Sequence, residues 1–266
     1  MKIARLNSVD LHWREDGDPD GMAVVFANSL GTDLRLWDKI IPLLPASGLR
    51  LIRFDKRGHG LSSCPQPPFS MEALCEDVEE FLQQIGVTDC IFVGLSIGGC
   101  IGQLITSRRR DLVKGLVLSN SAAKMGTTQM WEERIERIRT GGIESMADAI
   151  LERWFGDTFR QSDDAILWRN MLTRTPADGY MGCSAALAAS DLTASTSKLS
   201  LPVLGIGGEN DLASPPDVVR ATTELVPGSR YVEIAAAGHL PCVERPEIYA
   251  GHLMTFLKED LHVGTV

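Results

Sequence analysis

Ser96 is the first candidate for chemistry in this sequence, because it lies in the pattern Gly-Leu-Ser-Ile-Gly at residues 94–98. An apolar run over 90–93 precedes the pattern, and a glycine-spaced apolar segment follows it. Between a strand and a helix, G-x-S-x-G is typical of a nucleophilic serine on a strained turn at a sheet edge. Glycine is needed at 94 and 98, since a Cβ there would collide with neighbouring backbone. The alternative is an ordinary glycine-rich turn, so the serine must be matched with partners.

A nucleophilic serine needs a histidine that takes its proton. His239 lies beside Gly238 after the last predicted strand, where a loop can place the imidazole over the sheet edge. His59 is the competitor, but it precedes the serine, whereas this architecture places the base last in chain order. The remaining histidines lie in strand and C-terminal segments that favour packed or solvated roles: His12, His252 and His262. His239 is therefore the predicted base.

An orienting carboxylate is expected after a strand, between the serine and the histidine in sequence. Asp211 meets both conditions because it ends a strand-like segment that precedes the histidine. Glu209 is its main rival, and a turn-capping role is the alternative for Asp211 itself. The end of the preceding strand has Asn120 but no carboxylate, which removes the other common position. Asp211 is therefore the predicted acid.

An oxyanion hole requires two backbone N–H groups aimed at the developing negative charge. The Ile97 amide follows the serine directly, at the start of the predicted helix. The second amide is expected from the loop after the strand at 23–29, where Leu30 is the best candidate. Both predictions rest on position alone, because backbone groups do not depend on the side chain.

The elements that must position these residues form an alternating pattern. The helix predicted between 70 and 86 has Ser70 as its N-cap and Gly86 just after its end. Six apolar or β-branched runs are predicted as strands buried on both faces: 23–29, 50–55, 90–96, 113–121, 202–211 and 230–239. Alternation of strand and helix predicts an α/β fold with a mostly parallel sheet and right-handed crossovers.

The alternation stops between residues 122 and 198, where strand signals vanish and helical spacing continues between Gly, Pro and Asp. An insertion of this kind between two strands of one sheet predicts a lid over the carboxyl edge, where open α/β folds bind ligands. The predicted organisation is therefore a core of residues 1–121 and 199–266 and a helical lid of residues 122–198.

Charge and composition exclude several function classes. The net charge of −9 argues against nucleic-acid and anionic-membrane partners. The longest apolar run, Met22–Ala27, is far shorter than the roughly 20 residues that span a bilayer. The alternating N-terminus is predicted as strand and not as a signal peptide, so a cytoplasmic protein is expected. Six cysteines without metal-ligand spacing are predicted to be free thiols, and no metal site is expected.

The sequence resembles the α/β-hydrolase superfamily over nearly its whole length. The motifs that carry the resemblance are NSLGTDLRLWD (28–38), RFDKRGHGLSS (53–63), GLSIGG (94–99), GGENDLASPP (207–216) and AAAGHLPCVERPE (235–247). A narrower resemblance, to the 3-oxoadipate enol-lactonases, rests on NSLGT (28–32) and on the lid segments 118–135 and 146–155. The usual His-Gly pair before the oxyanion loop is replaced by Asn28-Ser29, which departs from the wider superfamily.

The resemblance implies an eight-stranded α/β-hydrolase fold and a serine hydrolase that needs no cofactor. It implies hydrolysis of a small anionic lactone, 3-oxoadipate enol-lactone, through an acyl-enzyme in aromatic degradation. The substrate carboxylate requires a cation, for which Arg134 is the first choice among four arginines of the predicted lid: Arg134, Arg137, Arg139 and Arg153. Trp131 and Trp154 are the predicted pocket walls, and core packing of the lid is the alternative for Trp154. General carboxylesterases, C–C bond hydrolases and non-enzymatic binding members of the fold remain alternatives. A homo-oligomer is compatible with the sequence.

Overall fold

The computed structural model describes residues 1–263. Its strands are β1 (Lys2–Arg5), β2 (Asp10–Gly17), β3 (Met22–Ala27), β4 (Leu49–Phe54), β5 (Cys90–Leu95), β6 (Val113–Ser119), β7 (Val203–Gly208) and β8 (Arg230–Ile234). Within the described range they form one eight-stranded sheet in the order β1-β2-β4-β3-β5-β6-β7-β8. Only the pairings of β2 with β1 and with β4 are antiparallel, so the predicted mostly parallel sheet is confirmed.

Burial of the strands follows their place in the sheet. All residues of β5 and β7 are buried, as predicted for strands covered on both faces. The prediction of two buried faces is wrong for 230–239, because β8 is short, lies at the edge of the sheet and leaves Glu233 exposed. An edge strand has a neighbouring strand along only one of its two edges. Its side chains therefore have fewer neighbours to pack against, and fewer of them need to be apolar.

The connections between strands are mostly helical. The helices are α1 (Met71–Gln84), α2 (Ile97–Arg108), α3 (Thr128–Gly141), α4 (Ala147–Trp154), α5 (Asp157–Arg160), α6 (Asp163–Thr173), α7 (Ala177–Ala189), α8 (Thr193–Thr196), α9 (Pro216–Thr223), α10 (Pro241–Glu244) and α11 (Pro246–Thr255). The predicted boundaries of α1 are confirmed: the Ser70 hydroxyl accepts a hydrogen bond from the Ala73 amide, and Gly86 follows the helix with φ +72°. None of the helices among residues 1–263 is long and apolar enough to cross a membrane.

Helices α3 to α8 lie between β6 and β7, inside the predicted lid of residues 122–198, and this stretch contains no strand. We call this stretch the helical insertion. An aromatic cluster holds part of it together, since Phe155 contacts Trp154, Phe159 and Trp168 with ring centroids 4.4–6.2 Å apart. The division into core and lid stays a prediction, and residues 264–266 of the predicted core lie outside the described residues.

Candidate active site

Ser96 lies on a strained turn between β5 and α2. Its backbone has φ +58° and ψ −120°, a region that few residues other than glycine adopt. A Cβ at Gly94 would lie 2.3 Å from the Gly98 carbonyl oxygen, and one at Gly98 would lie 2.2 Å from the Ala27 carbonyl oxygen. The predicted need for glycine at both positions is thereby confirmed, and the turn places Ser96 at the carboxyl edge of the sheet.

His239 and Asp211 form a buried pair. The His239 Nδ1 atom lies 2.8 Å from Asp211 Oδ2, and both residues are 2% exposed. The other carboxylate oxygen accepts hydrogen bonds from the backbone amides of Ala213 and Ser214, at 2.7 and 2.9 Å. A carboxylate held at both oxygens fixes the imidazole ring, and a proton on Nδ1 leaves Nε2 free to accept another.

The two rivals considered from the sequence lie elsewhere. The exposed Glu209 side chain accepts a hydrogen bond from the Ala236 amide at 2.8 Å. The buried His59 ring accepts one from the Gly31 amide at 3.0 Å. Burial and the neighbouring Lys56 ammonium hold the pKa of His59 well below its usual value, so this ring is neutral. Glu209 and His59 therefore each hold a backbone loop in place by accepting a hydrogen bond from one of its amides.

A cavity of about 190 Å³ is lined by several of the predicted residues, but Asp211 and Ile97 are not among its lining residues. Residues of the core and of the helical insertion line it, including Ser29, Leu30, Ser96, Met125, Met130, Trp131, Arg134, Arg153, Trp154, Tyr180, Ser214, Val218 and His239. The His239 Nε2 atom points to this region, where it lies 3.5 Å from the Ser29 hydroxyl oxygen. The serine, the histidine and the two predicted tryptophans thus face the same small space.

The loop after β3 lines this cavity with Ser29 and Leu30. The Leu30 N–H has no hydrogen-bond partner in the described part of the chain, and the Ile97 N–H begins α2, where helical amides lack an internal acceptor. Asn28 anchors the loop, because its amide donates to the Phe54 carbonyl at 2.9 Å and accepts from the Trp37 indole at 3.0 Å. The Asn28-Ser29 departure from the superfamily pattern therefore has a structural use.

Two arginines of the helical insertion reach the cavity. Arg134 extends from α3, with its guanidinium 4.8 Å from the Trp131 ring centroid and a nitrogen 3.5 Å from the Tyr180 hydroxyl. Arg153 extends from α4, and burial together with the nearby Arg134 lowers its pKa. Neither arginine forms an ion pair with a carboxylate among the described residues. Two cations without an acidic partner favour an anionic ligand.

The tryptophans of the insertion have both packing and site contacts. The Trp131 indole donates to the Met125 carbonyl, and the Trp154 carbonyl accepts from the His239 amide at 2.8 Å. Both rings are largely buried and line the cavity, and their role as walls of a substrate pocket stays a prediction. Through its backbone, Trp154 also joins the insertion to the loop that holds His239.

Asn120 is a site residue that sequence reasoning set aside. It is fully buried with φ +47°, and its amide donates to Asp211 Oδ2 at 2.8 Å. From the sequence, this position was of interest only as a place for a carboxylate. Its location directly after a predicted strand was the signal that could have found it. Tyr180, inside α7, gave no comparable signal.

This arrangement suits acyl transfer, with a serine, a histidine oriented by a carboxylate, and unpaired amides nearby. No group of three or more His, Cys, Asp or Glu side chains within residues 1–263 is arranged to hold a metal ion. The chemistry that the residues themselves permit is nucleophilic catalysis.

Comparisons with known proteins identify the family to which the chain is related. A family model described as the alpha/beta hydrolase fold matches residues 23–141. The chain is 31% identical over 243 residues to 3-oxoadipate enol-lactonase 2 of Acinetobacter baylyi, covering 91% of this chain and 90% of that protein. The crystal structure of the enol-lactonase from Burkholderia xenovorans is 33% identical with a TM-score of 0.93, covering 97% of this chain and 100% of that one.

A more distant solved structure, a thermophilic esterase from Thermogutta terrifontis, is 26% identical with a TM-score of 0.90, covering 97% of this chain and 99% of that one. The predicted fold class and the resemblance drawn from the motifs are confirmed by these similarities. With relatives above 30% identity that match nearly end to end, the chain belongs to the α/β-hydrolase family of hydrolases.

Proposed function

We propose that this protein is a serine hydrolase that opens the lactone ring of 3-oxoadipate enol-lactone and releases 3-oxoadipate. Relatives named for this activity support the reaction, and the cavity supports its substrate class. The observation that carries the proposal is the pair Arg134 and Arg153, which reach the cavity without acidic partners. The free carboxylate of the lactone is the group that such a pair would bind.

In the proposed mechanism, Ser96 attacks the lactone carbonyl carbon while its proton moves to His239 Nε2. Asp211 orients the imidazole and stabilises its positive charge, and the Leu30 and Ile97 amides bind the oxyanion. The ring C–O bond then breaks and His239 gives its proton to the departing enolate oxygen, which leaves neutral histidine, an acyl-enzyme and an enol that ketonises. Water, activated by the same histidine, attacks the acyl group and releases 3-oxoadipate and free serine.

The measurable consequence of this proposal is a preference for substrates that carry the free carboxylate. An enolate is a good leaving group, so discrimination has to come from the appended carboxylate. A charge-assisted hydrogen bond to it contributes roughly 1.5–3 kcal/mol, or about one to two powers of ten in kcat/KM. We therefore expect 3-oxoadipate enol-lactone to be hydrolysed at least tenfold faster than its neutral methyl ester, as measured by the kcat/KM values of both substrates.

Two alanine variants test which arginine binds the substrate carboxylate. Arg134→Ala and Arg153→Ala are each expected to lower kcat/KM for the acid while leaving the methyl ester nearly unaffected. Arg139→Ala is the matched control, because Arg139 is exposed on α3 and pairs with Glu136. Equal kcat/KM values of the wild type for the free acid and for its methyl ester would show that the cavity does not recognise the substrate carboxylate.

That outcome would favour a second function, hydrolysis of simple carboxylic esters. Apolar side chains also line the cavity, among them Met125, Met130 and Val218, and a related structure is named as an esterase. Comparable kcat/KM values for enol-lactone and p-nitrophenyl esters would support this alternative.

The proposal includes aromatic degradation as the pathway and the cytoplasm as the location. Of the six cysteines, five are buried as free thiols and Cys64 is exposed as a free thiol. Free thiols of this number are typical of proteins in a reducing compartment.

A further inference from the structure

Lys56 is buried without a counter-ion. It lies two residues after the end of β4 and is 3% exposed, and it forms no ion pair with a carboxylate among the residues that the structure describes. The nearest acids are engaged elsewhere: Asp33 pairs with Arg35, and Asp55 binds His12 and the Leu34 amide. A buried ammonium group is costly, so its contacts require an explanation.

The contacts of Lys56 are with the loop after β3. Its Nζ donates to the Ser29 carbonyl oxygen at 2.6 Å and is 3.3 Å from the Thr32 carbonyl oxygen. The Ser29 carbonyl and the Leu30 N–H belong to one planar, conjugated peptide group. A positive charge on the oxygen of that group withdraws electrons from its nitrogen and makes the N–H a stronger donor.

We propose that Lys56 is a positioning residue for catalysis, whose charge strengthens the Leu30 amide as an oxyanion donor and adds a fixed positive charge behind the oxyanion hole. This inference rests on the proposed function, because it assigns a role within the proposed serine hydrolase mechanism. Preorganised charge of this kind acts where negative charge develops and stabilises the transition state more than the ground state.

Holding the loop in shape does not require a charge. Asn28 anchors it to the Phe54 carbonyl, His59 accepts from the Gly31 amide, and the Thr32 hydroxyl donates to the same Ser29 oxygen at 3.0 Å. These neutral groups already fix the backbone on both sides of Leu30. An uncharged donor at position 56 would hold the carbonyl without the desolvation cost of an ammonium group.

The charge of Lys56 should be visible in the pH dependence. Burial lowers the pKa of Lys56 to about 8, against smaller raising effects of Cys183, Asp55 and Asp33. Burial raises the pKa of the Cys183 thiol to about 12, and the pKa of His59 lies well below its usual value, so neither changes charge near pH 8. Because a lysine loses its charge as pH rises, kcat should decline through about pH 8.

The experiment compares wild type, Lys56→Met and Thr32→Val with 1-naphthyl acetate, a neutral ester that does not depend on carboxylate recognition. Thr32→Val is the matched control because it removes a neutral donor from the same Ser29 oxygen. We expect Lys56→Met to lower kcat about tenfold with little change in KM, a part of the hundredfold or greater loss for a whole oxyanion donor. Thr32→Val should lose no more than about twofold, and only Lys56→Met should lose the decline near pH 8.

The possible results either support or overturn the role proposed for Lys56. A kcat for Lys56→Met within twofold of wild type, or equal losses in both variants, overturns it. If Lys56→Met does not fold, Lys56→Gln, which keeps an uncharged donor at this position, replaces it in the comparison: a loss of about tenfold in kcat supports the inference, and a kcat within twofold of wild type overturns it. A wild type that neither hydrolyses the ester nor takes a fluorophosphonate label on Ser96 refutes the proposed function and the inference with it.

Discussion

Ser96→Ala is expected to lower kcat by about a millionfold, because the serine and its base act as one unit and the loss of either removes the nucleophile. His239→Ala should cost about as much. The folded structure should survive both changes, since each removes atoms at a cavity wall. Initial rates on the lactone, together with circular dichroism of each variant, measure the two effects separately.

The acid is tested by Asp211→Asn beside Glu209→Gln. Asp211→Asn should lower kcat by about 10⁴-fold, because the amide no longer holds the imidazole in its working tautomer. Glu209→Gln is the matched control, since the exposed Glu209 directly follows β7 and its carboxylate accepts a hydrogen bond from the Ala236 amide, its one hydrogen-bond partner among residues 1–263. Full activity in Asp211→Asn with a loss in Glu209→Gln would reverse the assignment of the acid.

Gly98→Ala is expected to destabilise the fold by at least about 3 kcal/mol, because its Cβ would overlap a backbone oxygen that cannot move independently of β3. The oxygen is that of Ala27, only 2.2 Å from the Cβ position. Any folded fraction should also react slowly with a fluorophosphonate, since shifting α2 moves both Ser96 and the Ile97 amide. Urea unfolding gives the change in stability, and the labelling rate gives the change in the site.

Gly251→Ala is the control with the opposite expected sign. Gly251 is exposed in α11, and its Cβ would meet no atom within 4 Å. Alanine there should stabilise the protein by about 0.5–1 kcal/mol, because it favours the helix and restricts the unfolded chain. If both substitutions changed the unfolding free energy equally, the close approach of Gly98 to β3 would not matter energetically.

Much of the site could be predicted because its constraints are local. The Ser96 turn needs glycines at fixed spacing, and the order of Asp211 and His239 follows from the strands that precede them. Helix boundaries such as Ser70 and Gly86 were predictable for the same reason, since a cap is decided by a few neighbouring residues.

Other features depended on contacts between distant segments. The low burial of β8 follows from its place at the edge, which its apolar run does not reveal. Arg153 and Tyr180 reach the cavity only because α4 and α7 pack over it, and spacing within each helix does not encode that direction. Lys56 follows β4 but contacts the loop after β3, and its position in the sequence does not reveal this contact. From the sequence alone it would be taken for an ordinary surface lysine.

The position of the helical insertion also bears on how such enzymes change their substrates. The insertion leaves β6 at the carboxyl edge of the sheet and returns to the amino end of β7, the adjacent parallel strand, so it takes the place of an ordinary crossover connection. Loop closure depends weakly on length, at about 0.6 kcal/mol per doubling, so an insertion of another size can be accommodated without altering strand register. The segment that lines the cavity can therefore be exchanged as a module, while the residues predicted as nucleophile, base and acid stay on the inherited sheet. New specificity can evolve on this scaffold without the chemistry having to be rebuilt.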